Sequence, residues 1–184
     1  MAKKLAESAR IYLAEWALLQ RAERELANQL DEMWAMIRQD VEADLEAIAK
    51  KHGRTLKNLD NAPVKASPGD YWIYSEDNTA RLHVRVRDPR QSEEAGKFTV
   101  ELSFPKSAQA EMKKIPDAKT RFEQFAKGEE IDSLKWETGY PWSKALTVNP
   151  DAVEDTVTEI ADAIRALYAV IVQYEQWIAT SGTR

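Results

Sequence analysis

The feature that most constrains the fold is the last stretch of the chain. There Val153, Val157, Ile160, Ile164, Leu167, Ile171, Tyr174 and Ile178 recur in unbroken steps of four and three. Such steps keep apolar side chains on one narrow seam of a 3.6-residue helix, the geometry of helix-on-helix packing rather than of a catalytic pocket. Asn149 is a good N-cap, Pro150 suits the first helical position, and Asp151, Glu154 and Asp155 place negative charge at the positive end of the helix dipole. Gly182 ends the helix. Of its seam, Ile160, Ile164, Leu167 and Ile171 are the residues expected to carry association.

The natural partner is the N-terminal segment. From Lys3 to Lys51 the chain holds no Gly and no Pro, and Leu5, Ala9, Tyr12, Trp16, Leu19, Leu26, Leu30, Met33 and Ile37 keep a similar spacing, which predicts one long helix over 1–52. Leu26, Leu30 and Ile37 are its association residues. Near Ile37 the register slips: Val41, Leu45 and Ile48 take over while Asp40 and Asp44 fall where the repeat asks for apolar residues, the mark of a four-residue stutter. About 49 helical residues would span roughly 74 Å, more than one small domain covers. Either the helix breaks near Asn28 or Asp40, or part of it projects to meet a second chain; the pattern favours projection and a homodimer.

A chain of 184 residues with 43 % hydrophobic content makes one domain with an ordinary core. The absence of cysteine excludes disulfides and thiolate metal sites. No apolar run reaches the length of a membrane span, and the Ala-Lys-Lys start leads into an amphipathic helix, so a cytoplasmic protein is expected. The net charge of -5 argues against a general nucleic-acid binder. Residues 53–106 are nonetheless near neutral, while the last helix sets six carboxylates against Arg165 alone.

Between the helices the composition turns to β. A loop over 53–70 with Pro63, Pro68 and Gly69 opens a sheet region over 71–148. Tyr71 to Ser75 form a first strand, with a turn at Glu76, Asp77 and Asn78. In Arg81 to Arg87, Leu82, Val84 and Val86 alternate with Arg81, His83, Arg85 and Arg87, one face core and the other a basic stripe. Phe98, Val100, Leu102 and Phe104 mark a third strand, antiparallel to the second. A helical region capped by Ser107 or Asp117, interrupted at Pro116, carries Phe122 and Phe125 and ends at Gly128. Leu134 to Thr138 read as the last strand before a turn at Gly139, Tyr140, Pro141 and Trp142. The fold class is α+β, order α-β-β-β-α-β-α. A small antiparallel sheet is covered by helices, and the C-terminal helix over 149–181 packs on the N-terminal one as an antiparallel pair or coiled coil.

Four constellations bear on function. Arg81, His83, Arg85 and Arg87, with Trp72 or Tyr74 beside them and Trp142 near, form a possible ligand or nucleic-acid face, in which arginines meet phosphates and aromatics stack on bases. The competing reading, favoured by the acidic total, is a solvated face on which Arg85 or Arg87 pairs with Glu101 across the strands. Asp40, Glu42, Asp44 and Glu46 make two i,i+4 pairs but lack the converging ligands of a calcium or magnesium site, so they read as a solvated face and no metal is expected. His52 reads as a helix C-terminal cap. Asp151, Glu154, Asp155, Glu159 and Asp162 form an acidic face of the kind a DNA mimic presents. Trp136 and the Tyr140 to Trp142 turn either anchor an interface or pack onto the sheet edge.

The run Phe98-Thr-Val-Glu101-Leu-Ser-Phe104, the helix with Phe122 and Phe125, then Leu134-Lys-Trp136-Glu137 and the terminal helix carry a resemblance. Over residues 71–180 the chain resembles the uncharacterised C-terminal domain that follows PD-(D/E)XK-type nuclease modules in bacterial defence proteins. The resemblance implies an accessory, defence-associated role and brings no active site with it. A nuclease core would need two acids, for which Asp88 and Glu101 are the candidates, and a lysine two positions after the second. Ser103 stands there, and Lys106 lies beyond Pro105. The expectation is a non-enzymatic interaction protein without cofactor, its partner a second copy or a larger protein. A nucleic-acid binder, an atypical nuclease and an acidic DNA mimic are the alternatives.

Overall fold

The structure, a computed structural model, describes residues 6–59, 68–76, 80–94 and 96–181. Leu5, Pro63, the Asp77–Asn78 turn and Gly182 lie outside the described residues. The elements are α1 (Glu7–Ala14), α2 (Trp16–Lys51), β1 (Leu56–Asn58), β2 (Asp70–Ser75), β3 (His83–Arg87), β4 (Lys97–Ser103), α3 (Lys106–Met112), α4 (Ala118–Gly128), β5 (Trp142–Thr147) and α5 (Val153–Ser181). The α+β class stands. The five strands form an antiparallel meander in sequential order.

Strand alternation fixes the two sheet faces. Leu82, Val84 and Val86 of the β3 segment, Phe98, Val100 and Leu102 of β4, and Ile73 of β2 are all fully buried. Against this face lies α5, in contact with β2 through β5 and with α2 and α4. The narrow seam broadens in its middle, where every residue from Leu167 to Val172 is buried. A helix hydrophobic all round is one surrounded on all sides.

The pairing of α2 with α5 holds, but its direction is parallel rather than antiparallel. Arg165 reaches Asp44 at 2.7 Å and Asp40 at 3.0 Å, and eleven residues on, Gln176 meets His52 at 2.7 Å. Contacts thus advance together along both helices. A whole sheet separates the two in sequence, so no short hairpin imposes an antiparallel return. The stutter is visible as burial: Ile37, Val41, Leu45 and Ala49 follow in steps of four, and Asp40 and Asp44 turn aside to Arg165, the one basic residue of α5. At its C-terminus α2 closes on Gly53 at φ +66°, with the Arg54 N–H donating to Ala49 O and the Gly53 N–H to Lys50 O. This is a Schellman motif with His52 as the C-cap residue.

Four expected boundaries move. The long helix kinks at Glu15, not at Asn28 or Asp40. Leu56–Asn58, expected as loop, adds an edge strand to β2. The last strand is Trp142–Thr147 rather than 134–138, because Trp136 leaves the sheet to pack edge-on against Phe104 and Phe122, at 5.4 and 5.6 Å between centroids. Asn149 makes an Asx turn with the Asp151 N–H at 3.1 Å, and α5 begins only at Val153. Pro105 and Asp117 occupy the N-cap positions of α3 and α4, neither with a side-chain cap bond.

Because α5 is the element that all others cover, truncation inside it has a large cost. Ile164→Ala is expected to lower the unfolding free energy by about 2–5 kcal/mol, as cavity-forming core truncations do. Equilibrium denaturation of the two proteins checks this; coincident transitions would contradict the packing described.

Candidate association surface and the opposite sheet face

The first half of the long helix takes no part in the core. Burial along α2 begins at Leu30, and α1 has no buried residue. Residues 7–29 therefore form an arm of about 35 Å. Its large apolar side chains face solvent: Ile11, Tyr12, Leu13, Trp16, Leu18 and Leu26 are 43–63 % exposed. Six of the eight exposed large hydrophobic residues among those described lie on this arm, and a seventh, Met36, lies just beyond its base. Clustered exposure of this kind, unlike scattered single residues, makes the arm a candidate interaction surface.

The arm leaves the fold at a fixed point. Arg90, in the loop after β3, donates to Asp88 at 2.5 Å, to Asp31 of α2 at 2.7 Å and to the Tyr71 hydroxyl at 3.3 Å. Beside this network Trp34 stacks on Tyr71 at 3.7 Å. Gly69 makes room for it: at φ +88°, an added Cβ would lie 2.2 Å from Asp88 Oδ1. Burial and the Asp88 carboxylate push the Tyr71 hydroxyl up to about 12, so it stays a neutral partner. At the arm's base an apolar groove of about 620 Å³ is lined by Leu26, Met33, Met36, Val148, Pro150 and Val153.

Of the seven expected association residues, Leu30, Ile37, Ile160, Ile164, Leu167 and Ile171 are at most 1 % exposed, committed to the core within one chain. Leu26 alone is available to a partner. Ile11, Leu13 and Leu18 were missed, because they stand off the 4-3 stripe; the signal for them was the apolar density of residues 11–19, too high for one seam.

The expected nucleic-acid face is only partly assembled. Trp72, His83, Arg85 and Arg87 do share the outer sheet face. Arg81 does not: it precedes β3 in a left-handed conformation, φ 57°, and lines a cavity with Phe104 and Met112. Trp142 is opposite Leu102 in the β4–β5 register and so shares the inner face. The arginines are neutralised in place. Arg85 makes a bidentate pair with Asp70, both bonds at 2.8 Å, and donates to the Tyr140 hydroxyl at 2.8 Å; Arg87 pairs with Glu101 at 2.8 Å. Burial would raise the Asp70 carboxyl, but Arg85 outweighs it and holds the group below its usual range. Trp72 is engaged by His83, stacked at 4.2 Å, and by the Arg85 guanidinium, 5.9 Å from the ring centroid. Asp70 and Tyr140, the partners that close this face, were not foreseen.

The carboxylates expected of an atypical nuclease are on opposite sides of the sheet. Asp88 continues the inward parity of Val84 and Val86, whereas Glu101 pairs with outward Arg85 and Arg87, so the two cannot share an ion. Asp40 and Asp44 are occupied by Arg165. Among the described residues no group of three or more His, Asp or Glu is placed to hold a metal, and no helix is long and apolar enough to cross a membrane. On the acidic face of α5, Glu159 faces Lys144 at 3.8 Å and Asp162 pairs with Arg165 at 3.0 Å. Compared with protein-family models, curated proteins and solved structures, the chain matches none.

Burial, reinforced by the neighbouring Arg85 charge, pushes His83 down to about 4. An unfolded histidine protonates near 6.5, so between about pH 6.5 and 4 the unfolded state binds the extra proton and the stability tied to neutral His83 is lost as pH falls. His83→Gln is expected to flatten the stability profile in that window by about 1–3 kcal/mol, measured by urea denaturation at pH 7 and 4.5. Identical profiles would exclude His83 as the source.

Proposed function

We propose that this chain is a non-enzymatic interaction or accessory module whose N-terminal arm, residues 7–29, is its association surface. The observation that carries the reading is the row of apolar side chains from Ile11 to Leu26 left in solvent by an otherwise closed fold. An isolated amphipathic helix of this length is marginal in water and gains its stability from a packed face. Helix-in-groove recognition uses such a face, with the apolar residues giving affinity and flanking charges giving specificity. The division of labour along α2 supports the reading further: the half beyond Leu30 is anchored to α5 and latched by Arg90, so the half before it is presented at a set angle. The resemblance to the domain that follows nuclease modules in bacterial defence proteins supports an accessory role in that setting.

The test is affinity capture with the full chain and with a Leu13→Glu, Leu18→Glu variant. Both positions are about 60 % exposed, so the variant is expected to keep the wild-type melting temperature within the small range of surface substitutions and to lose its bound partner. Equal capture by both proteins would overturn the assignment to the arm.

A further inference from the structure

We propose that the cavity bordered by Arg81 and Tyr174 is a binding site for a small monocarboxylate with an apolar body. It lies at the opposite end of α5 from the groove at the arm's base, and it stands apart from the reading of the arm as an association surface.

Three segments wall the cavity. Phe104 continues the inner sheet face just past β4. Ala108 and Met112 stand four apart on α3, with Ile115 in the turn that follows, and Tyr174 and Ile178 stand four apart on α5. Residues four apart share one side of a helix, so both helices turn an apolar side toward the same space. Phe104, Ala108, Met112 and Tyr174 are at most 5 % exposed, but the walls leave a cavity of about 400 Å³. A close-packed interior leaves few voids larger than a water molecule, whereas small-molecule sites occupy roughly 300–1,000 Å³.

Two polar groups on this lining have no partner among the described residues. Tyr174 packs edge-on against Phe122 at 5.1 Å and is 1 % exposed, but its hydroxyl makes no hydrogen bond to a described residue. Burial alone pushes that hydroxyl up to about 12, so at neutral pH it is an unsatisfied donor and not a phenolate. A buried donor without an acceptor costs free energy that an incoming acceptor recovers. Arg81 is exposed at the mouth, and its guanidinium forms no ion pair with a described residue. It differs in this from Arg85, Arg87 and Arg90, each held by a carboxylate. The acid on the lining, Glu111, is paired with Lys114 at 3.0 Å, so Arg81 sets the sign of charge at the mouth.

These properties define the chemistry of the occupant. A hydroxyl donor and a guanidinium both call for acceptor oxygens, and a carboxylate carries two that match the planar fork of arginine. The walls call for hydrocarbon in the rest of the molecule. A sugar or a phosphate ester would leave polar groups facing Phe104, Met112 and Ile178 without partners. An amine would set a second cation beside Arg81.

Calorimetric titration of the full chain with decanoate and with naphthylacetate is the deciding experiment, with decylamine as the cationic control. Saturable binding of one carboxylate per chain is expected, with none of the amine. Arg81→Gln and Tyr174→Phe are each expected to weaken it about tenfold, the effect of losing a hydrogen bond to a charged group. Both variants are expected to melt with the unliganded wild type, because Arg81 is exposed and Tyr174→Phe keeps the ring against Phe122 while removing a hydroxyl that no described residue bonds. Binding of decanoate alone supports the site with an alkyl body, and binding of naphthylacetate alone supports it with an aryl one. No saturable binding of either acid, an affinity unchanged by either substitution, or equal binding of decylamine overturns it. A Tyr174→Phe protein that melts lower without ligand shows the hydroxyl to be bonded within the chain, and overturns the site as well.

Discussion

The fold depends on covering α5. A 29-residue helix that is buried all round over Leu167 to Val172 has no stable existence until the sheet closes one side of it and α2 and α4 close others, since each exposed turn forfeits apolar burial at about 25 cal/mol per Å². Everything else answers that demand. The sheet presents a largely apolar inner face, and α2 supplies a buried stripe from Leu30 to Ala49. The N-terminal remainder of α2 has no counterpart on α5 and leaves the body of the protein.

Charge is used mainly to fix these packings in place. Arg165 draws Asp40 and Asp44 of α2 onto α5, which sets the relative height of the two helices. Arg90, joined to Asp88 and Asp31, ties the end of β3 to α2 at the point where burial begins. On the outer sheet face Asp70 and Glu101 hold Arg85 and Arg87, so a row that reads as a basic stripe in one strand is nearly neutral in the sheet. A charge pattern on a single strand carries half of the information, because its cross-strand neighbours come from elsewhere in the chain.

That limit explains what the sequence conveyed. The α+β class, the helix pair, the β2, β3 and β4 strands and the core parity of Val84, Val100 and Ile164 were legible because each rests on local periodicity. The stutter at Asp40 was legible for the same reason. The parallel sense of the helix pair was not, since a heptad specifies a facing helix without its direction. β5 was misplaced because Trp142–Thr147 contains Ser143, Lys144 and Ala145, weak strand formers, while the stronger Leu134 and Trp136 signal serves packing against Phe104 and Phe122. Trp142 was assigned to the wrong face as a result. The arm was legible as excess helix length, but which residues it exposes became clear only once burial showed where the core ends.

The central claim is that α2 serves two purposes divided near Leu30, the core on one side and association on the other. Hydrogen exchange of the full chain at low and high protein concentration tests it directly. The account predicts that amides of residues 30–49 are protected and indifferent to concentration, while those of residues 7–27 exchange quickly when the chain is dilute. Arm amides protected to the same degree at both concentrations would mean that the arm is held by its own chain, and would contradict the account.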